Sequence, residues 1–182
     1  MAEQQPSTFI ERLCSRDDSA FDELVDRYAG RCYGYFYRLC GNGEQSEEFV
    51  SELFVKLVEK IDTFDGGSFD NWLFTVASNL FRDHLRRKYR YKRLLDEVAD
   101  QERKRQEEAV VDPRQEAVSD RLQWALEKLD KETAELIMLR YYSKVSFREL
   151  AQMRNEPIGT LLSKVHRGLK RLRVLMEDVS YE

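Results

Sequence analysis

The 182-residue sequence contains few of the residues that interrupt helices, with only three prolines and eight glycines. An all-β protein needs many turns, and turns are built largely from these two residue types, so that fold class is excluded. Cysteine and histidine are scarce as well, with three and two copies. Cys14, Cys32 and Cys40 lack the CxxC spacing of metal and redox sites, and we interpret them as reduced thiols of a cytoplasmic protein.

Long apolar runs and catalytic motifs are also missing from the sequence. No run approaches the ~18 residues that cross a bilayer, and residues 1–8 show no charged-then-apolar secretory signal. We find no glycine-rich phosphate loop, no nucleophile elbow and no HExxH motif. We therefore predict a protein that is not an enzyme, that needs no cofactor and no metal ion, and that acts in the cytoplasm.

Charge, in contrast, is abundant. Charged residues make up 35% and hydrophobic residues 42% of the chain, a composition that is typical of a soluble helical protein and excludes a disordered one. The formal net charge of −4 gives the molecule as a whole no attraction for nucleic acid. The charge is unevenly distributed, however, and two segments are strongly basic.

Apolar residues recur at helical spacing through the N-terminal half of the chain. The pattern predicts a long helix after Asp17-Asp18-Ser19, ended by Gly41-Asn42-Gly43, and a second helix with Ser46 as its N-cap. Asp65-Gly66-Gly67-Ser68 predicts a turn, after which a third helix begins near Phe69. Three such helices can bury one core, so we predict a small helical domain here.

The composition changes after this domain. The segment from Asp96 to Ser119 carries eight acidic and four basic residues, few large apolar residues, and Pro113. This composition indicates a linker, in part helical, rather than a packed element. We therefore predict domains at residues 1–93 and 119–182, joined by a linker at residues 94–118.

The second domain ends in a helix-turn-helix pattern. Ser146 and Glu149 have the spacing of a capping box, in which each side chain accepts from the other residue's backbone N–H. The helix they start is predicted to end at about Met153, and Pro157 is predicted as the first residue of a final helix. A short capped helix, a turn and a longer helix form the DNA-binding motif of this type. The predicted fold class is thus all-α, with two small helical domains.

The final helix has a basic face opposite its apolar face. The span from Arg140 to Arg173 holds nine Lys or Arg residues against two acidic ones. The residues opposite the apolar face are Thr160, Ser163, Lys164, Arg167, Lys170 and Arg171. Polar residues near the start suit base edges in the major groove and cations further along suit phosphates, so we predict DNA binding. The alternative is a solvated basic face on an ordinary helical bundle.

A second polar face lies on the third helix. It comprises Thr75, Ser78, Asn79, Arg82 and Arg86. From Arg82 to Arg93 the chain carries seven basic residues against one acidic residue, with Tyr89 and Tyr91 between them. Aromatic rings among cations suit single-stranded bases, which stack while the cations follow the backbone. We interpret Phe74 and Phe81 as core residues and His84 as a histidine at the core's edge.

Several motifs, taken in order, resemble the extracytoplasmic-function sigma factors. The motifs that resemble region two are Ala20-Phe21-x-Glu23-Leu24, Glu48-Phe49-Val50-Ser51-Glu52-Leu53-Phe54, Phe69-x-x-Trp72-Leu73 and Asp83-His84-Leu85-Arg86-Arg87. The motifs that resemble region four are Leu136-x-x-Leu139-Arg140-Tyr141, Ser146-x-x-Glu149-Leu150-Ala151 and Pro157-Ile158-Gly159-Thr160-x-x-Ser163-Lys164. Each motif alone is weak, whereas the ordered set is specific.

The resemblance implies a subunit that binds core RNA polymerase, directs it to promoter DNA and helps to open it. It implies docking on the clamp of the beta-prime subunit through Glu48, Phe49, Ser51 and Glu52. It implies contact with the minus-ten element through Ser68, Thr75, Ser78, Asn79, Arg82, Arg86 and Arg87. The final helix would read the minus-thirty-five element. Further partners implied are the flap of the beta subunit and an anti-sigma factor, without membrane insertion.

This sequence departs from the family pattern at a few positions. Ser51 replaces a usual glutamine, Ser78 a common arginine, and Leu162 a Lys or Arg that often faces DNA, so minus-thirty-five specificity is not transferred from relatives. Two rival hypotheses remain at this stage: a helix-turn-helix regulator that acts without being a polymerase subunit, and an interaction module that mimics sigma domains. Neither needs two cationic faces together with an acidic docking helix.

Overall fold

In the computed structural model, residues 6–98 and 117–178 are described, and they contain helices and no strands. The first group of helices comprises α1 (Pro6–Cys14), α2 (Asp18–Cys40), α3 (Gly43–Lys60) and α4 (Phe69–Val98), with a 3-10 turn at Ile61–Thr63 after α3. The second comprises α5 (Ala117–Glu127), α6 (Lys131–Ile137), α7 (Phe147–Arg154) and α8 (Ile158–Asp178), with a π-helical turn at Met138–Tyr142 after α6. We call these groups the N-terminal and C-terminal domains.

The helix ends follow local capping chemistry. The Asp17 side chain accepts from the Ala20 N–H at 3.0 Å, so α2 begins at Asp18, within the Asp17-Asp18-Ser19 segment that was predicted to precede it. Gly41 ends α2 in a left-handed conformation with φ 70°. Ser146 and Glu149 form the predicted capping box of α7. The predicted turn at residues 65–68 is present and includes Gly66, whose φ is 87°.

Two predicted helix starts were wrong, and one helix was not predicted. The N-cap of α3 is Asn42, whose Oδ1 accepts from the Gln45 N–H at 2.8 Å, while Ser46 is buried and donates to the Asn42 carbonyl. Helix α8 begins at Ile158, one residue after Pro157. Helix α1, which was not predicted, packs Phe9 and Leu13, four residues apart, into the core.

The predicted linker is in part covered by the two helices that flank it. Helix α4 continues to Val98 and α5 begins at Ala117. Residues 99–116 lie outside the described residues, as do residues 1–5 of the segment in which no secretory signal was predicted.

The two domains have different cores. Aromatic rings fill the N-terminal core, where Phe36 stacks on Phe49 with centroids 4.9 Å apart and Tyr35 meets the edge of Phe74 at 5.4 Å. The predicted core role of Phe74 and Phe81 is confirmed, since they are 0% and 2% exposed. Aliphatic side chains dominate the C-terminal core, which includes Leu126, Leu136, Leu139, Leu150, Leu161 and Val165.

The C-terminal domain packs against the long helix α2. Lys131 Nζ donates to the Leu39 carbonyl at 2.9 Å, and Gln123 Nε2 donates to the Tyr37 carbonyl at 3.2 Å. Both carbonyls lie in the last turn of α2, where the helix dipole favours a cation such as Lys131. The Tyr37 carbonyl also accepts from the N–H of Gly41 at 2.8 Å. Tyr142 Oη donates to the Arg31 carbonyl, two turns closer to the start of α2. This contact lies beside Gly34, where any Cβ would approach that hydroxyl to 2.5 Å.

Candidate nucleic-acid interfaces

Helix α4 carries its polar residues on a stripe that is only partly exposed. Asn79, Arg86 and Arg87 are exposed, whereas Thr75 and Arg82 are half-buried. The Thr75 hydroxyl donates to the Asn71 carbonyl at 2.7 Å, and Arg86 pairs with Asp83 at 3.2 Å. Thus the predicted minus-ten residues do lie along one helix, but they differ widely in their access to a partner.

Ser68 and the two tyrosines of the basic run lie at opposite ends of this helix. Ser68 is exposed, and its Oγ accepts from the Asn71 N–H at 3.3 Å at the start of α4. Tyr89 and Tyr91 are 59% and 65% exposed and so are free of the core. The side chains of Lys92 and Arg93, which complete the basic run, lie outside the described side chains.

Ser78, in the middle of the stripe, is covered by the C-terminal domain. Its side chain is 1% exposed and its hydroxyl donates to the carboxylate of Glu135 on α6. Arg154 of α7 pairs with the same carboxylate at 2.6 Å, and the two charged side chains are 1% and 3% exposed. Burial raises the pKa of Glu135, and the pairing with Arg154 opposes that rise. In this arrangement Ser78 cannot contact DNA.

The cationic part of the stripe faces acidic residues of α6. A cleft of about 430 Å³ separates the two domains, with Arg82, Arg86 and Tyr89 on one wall. The charged residues of the other wall are Asp130, Glu132 and Glu135 together with the cations Lys131 and Arg154. Burial lowers the pKa of Arg82, and neighbouring Arg154 adds to that lowering. The C-terminal domain thus presents carboxylates where a phosphate backbone is predicted to bind.

A second contact joins the start of α4 to α7. The side-chain amide of Asn71 donates to the carboxylate of Glu149, the same residue that closes the capping box with Ser146. Burial raises the pKa of Glu149, but its bonds to Ser146 and Asn71 outweigh this effect and hold it below the usual value. One carboxylate therefore supports both a helix cap and the contact between domains.

On α8, the predicted minus-thirty-five residues are exposed, with one exception. Those exposed are Thr160, Ser163, Arg167, Lys170 and Arg171. Lys164 is half-buried, because its Nζ contacts Glu132 Oε1 at 2.6 Å and Glu156 Oε2 at 2.7 Å. These two hydrogen bonds raise the pKa of Lys164. Ile158 and Leu162, two apolar residues of the same helix, are 43% and 46% exposed.

On α3, three of the four predicted polymerase contacts lie at the surface. Glu48, Ser51 and Glu52 are exposed, and Glu52 lies 3.5 Å from Lys56. Phe49 is only 3% exposed and stacks in the aromatic core. A ring held there can shape the docking surface from below but cannot itself contact a partner, so its predicted role requires this correction.

His84 lies at the edge of that core, as interpreted from the sequence. Its ring meets Phe49 edge-on with centroids 5.0 Å apart, and its Nε2 is 3.4 Å from Gln45 Nε2. Burial lowers the pKa of His84, and the nearby cations Lys88 and Arg87 lower it further.

Sequence reasoning missed Glu135 and Arg154, which form a buried pair within the C-terminal domain where that domain contacts Ser78 of α4. The available signal was Glu135 itself, a carboxylate within the apolar run Ala134-Glu135-Leu136-Ile137. A charge placed in a core stripe requires a buried partner. The position of Glu135 in the sequence, however, does not show that Arg154 and Ser78 are its partners.

Other types of site receive no support from the described part of the chain. Residues 6–98 and 117–178 contain no group of three or more metal-binding side chains. Cys14, Cys32 and Cys40 are all free thiols. Within the same residues, no helix combines the length and apolarity needed to cross a membrane.

A two-domain helical protein with a helix-turn-helix and a second polar, cationic helix face belongs to the class of DNA-binding transcription proteins. Residues 24–91 match sigma-70 region 2, and residues 119–172 match sigma-70 region 4. The chain therefore belongs to the sigma-70 family, within its extracytoplasmic-function (ECF) group. It is an RNA polymerase sigma factor, which binds core polymerase and directs it to promoters for transcription initiation.

Individual relatives agree with this assignment. The chain is 31% identical over 182 residues to the ECF RNA polymerase sigma factor SigW of Bacillus subtilis (strain 168), covering 93% of this chain and 96% of SigW. It is 32% identical over 167 residues to SigE of Mycolicibacterium smegmatis, covering 90% of this chain and 64% of SigE. These matches do not favour the alternative of a regulator that is not a polymerase subunit.

The fold is shared with solved structures of sigma factors. The sigma factor RpoE, crystallised with the anti-sigma factor NepR from Bartonella quintana, superposes with a TM-score of 0.68 at 23% identity, over 86% of this chain and 96% of RpoE. CnrH, in complex with the cytosolic domain of CnrY, gives a TM-score of 0.67 at 21% identity, over 95% of this chain and 97% of CnrH. At these identities the likeness concerns the fold.

Proposed function

We propose that this sigma factor works through three surfaces whose residues the two domains carry separately. The exposed face of α3, with Glu48, Ser51 and Glu52, docks on the polymerase clamp. The α4 stripe holds the melted minus-ten element, and α8 reads the minus-thirty-five element. The observation that carries this proposal is the pair of polar, cationic helix faces in two domains, since a simple regulator needs only one.

The same proposal includes a change of domain arrangement on binding polymerase. Ser78 is buried against Glu135, and Arg82 faces the acidic wall of α6. The α4 stripe can therefore hold DNA only after the domains separate. Core polymerase, by gripping each domain, would supply the free energy for that separation.

We further propose that the chain is a non-catalytic subunit acting where RNA polymerase acts, in the cytoplasm. We extend the proposal to an anti-sigma partner, because the sigma factors RpoE and CnrH, similar in fold, are described in complexes with NepR and CnrY. Such a partner would stabilise the arrangement in which the α4 stripe is covered.

Transcription with purified core polymerase tests the proposal. Core plus the chain should start transcription at a defined position on a promoter that core alone does not recognise. Asn79→Ala and Arg82→Ala should lower permanganate reactivity of melted thymines about tenfold, the effect of losing one hydrogen bond to a charged phosphate, while core affinity stays within about twofold. Lys60→Ala, an exposed cation outside the stripe, is the control. Normal melting by both α4 variants would refute the assignment of the stripe.

A further inference from the structure

The first turn and a half of α8 offers DNA an unusual set of side chains. Residues 158–163 carry no charge. Ile158 and Leu162 are 43% and 46% exposed, whereas Leu161 and Val165 on the same helix are 0% and 2% exposed. Ile158 and Leu162 are four residues apart, so they lie side by side on one flank of the helix. The helix thus begins with an exposed apolar pair.

The polar side chains beside this pair are hydroxyls. Thr160 and Ser163 are both exposed. The Ser163 hydroxyl donates to the Gly159 carbonyl at 2.9 Å, so its proton is already engaged within the helix. It can still accept a hydrogen bond from a base, but hydroxyls do not select strongly among bases.

The first cation of α8 is engaged by two carboxylates. Lys164 Nζ lies 2.6 Å from Glu132 Oε1 and 2.7 Å from Glu156 Oε2. One ammonium between two carboxylates leaves the cluster with a net negative charge. Extending Lys164 toward a base would require breaking both contacts beside a polyanion, which would repel the two carboxylates left behind.

These side chains match one base in the major groove. Guanine is read by Arg or Lys and adenine by Asn or Gln, and the start of α8 offers no free side chain of these types. Thymine alone presents a methyl group there, which apolar side chains contact. Arg167, Lys170 and Arg171 are exposed further along the helix, and their charge suits phosphates rather than an apolar protein partner.

We infer that this sigma factor reads thymine in its minus-thirty-five element through Ile158 and Leu162, and that Lys164 does not read a base. The inference rests on the proposed role of α8. Lys164 instead ties α6 and the turn before α8 to the recognition helix. Base preference in this chain therefore comes from methyl contacts at the start of α8, while the later cations supply affinity.

Replacing thymine with deoxyuridine removes only the methyl group and so tests the contact directly. Holoenzyme assembled from core polymerase and the full chain is first used to select duplexes from a library randomised over the minus-thirty-five element. We expect at least one position dominated by thymine. Deoxyuridine at that position should weaken binding about fourfold, the worth of one buried methyl group.

Variants on α8 assign the effect to a residue. Leu162→Ala should make thymine and deoxyuridine equivalent at one position, whereas Val174→Ala, an equally exposed apolar residue of α8 at 48%, should keep the discrimination. Leu162→Arg should shift the selected base from thymine to guanine. Lys164→Ala should leave the selected sequence unchanged, and loss of preference at one base pair would overturn its assignment.

The remaining outcomes separate this inference from the function on which it rests. If binding depends on the minus-thirty-five sequence but is equal for thymine and deoxyuridine at every position, the inference is wrong and the proposed function of α8 stands. Binding that does not depend on the minus-thirty-five sequence would overturn both. If Leu162→Ala lowered core affinity and kept the discrimination, Leu162 would be a protein contact and the inference would be wrong.

Discussion

The two helices proposed to contact DNA differ in how much of their polar surface the folded chain leaves accessible. On α4, Ser78 is 1% exposed and Arg82 faces carboxylates of α6. On α8, Arg167, Lys170 and Arg171 point to solvent. The same packing of domains therefore covers the centre of the surface proposed for melted DNA while leaving the surface proposed for duplex DNA open.

The difference has a simple electrostatic origin. The α4 stripe meets an acidic wall from the other domain, and its central hydroxyl completes the coordination of a buried carboxylate. Helix α8 uses its apolar face within its own domain, so its opposite face stays free. Covering one DNA surface and exposing the other would keep the free chain from melting DNA before polymerase binds.

Of the changes considered, breaking the buried pair of Glu135 and Arg154 should lower the stability of the chain most. Glu135→Ala leaves Arg154 buried without its carboxylate and removes the partner of Ser78, so we expect a loss of about 3 kcal/mol in the free energy of unfolding. Urea unfolding of the full chain measures it. Glu177→Ala, whose side chain is 62% exposed in a pair with Arg173, should change stability by less than about 0.5 kcal/mol. Equal losses in both variants would contradict the buried role of Glu135.

Loosening the covering contact alone should have a smaller effect. Ser78→Ala removes one hydrogen bond to a carboxylate between domains, which should raise the fraction of open molecules about tenfold. Single-molecule Förster transfer between dyes on Cys14 and on Lys170→Cys, in a Cys40→Ala background, measures that fraction.

The matched control for this experiment is an exposed serine of the same domain. Ser51→Ala should leave the open fraction unchanged, because Ser51 lies at the surface of α3. An open fraction that is the same in Ser78→Ala and the parent chain would mean that the hydrogen bond does not hold the domains together.

Variants of Glu149 and Asn71 distinguish the stability that comes from the cap of α7 from the stability that comes from the contact between the domains. Glu149→Ala removes the capping box of α7 together with the bond to Asn71, and should cost about 1 kcal/mol of stability. Asn71→Ala removes only the contact between domains and should cost less. Thermal unfolding of both variants tests this order, and a larger loss from Asn71→Ala would reverse our assignment.

The smallest expected effect is a pH dependence of stability that comes from His84 in the N-terminal domain. The folded state lowers the pKa of His84 below its ordinary 6.5, so it binds the proton less tightly than the unfolded chain does. Stability from this group is therefore complete above pH 6.5 and is lost as the pH falls from 6.5 toward the lower folded pKa. Urea unfolding between pH 5 and 7.5 should show this slope. The slope of the unfolding free energy against pH should flatten in His84→Gln and persist in His166→Gln. The reverse result would contradict the assignment of this slope to His84.

Local chemistry made much of the fold predictable. Asp17 before an apolar stripe, the Ser146 and Glu149 spacing and the glycines after α2 each act within one turn of chain, so their effects follow from sequence alone. The start of α3 was misplaced because Asn42 and Ser46 are both good caps, and only the packing of Ser46 against α2 distinguishes them. Helix α1 was missed since its stability depends on burying Phe9 and Leu13 against the rest of the domain.

For the candidate sites too, the sequence predicted which residues share a helix face, but it did not predict which of them are accessible. Periodicity placed Thr75, Ser78, Asn79 and Arg82 on one stripe, and it placed the cations of α8 on another. Whether a side chain on the stripe is accessible depends on the partner domain, and Glu135 lies 57 residues from Ser78 in the chain. No periodic pattern reports a contact over such a separation.

The sequence by itself determined the family, the helices and the two cationic faces, because these depend on residue type and on spacing within a few turns. Only the tertiary structure decided which polar residues are free to act. It buried Ser78, moved Phe49 into the aromatic core, engaged Lys164 with two carboxylates and left Ile158 and Leu162 exposed. The physical reason is that desolvation and charge pairing depend on distances between elements that are remote in sequence, and a residue's role in binding follows from those distances.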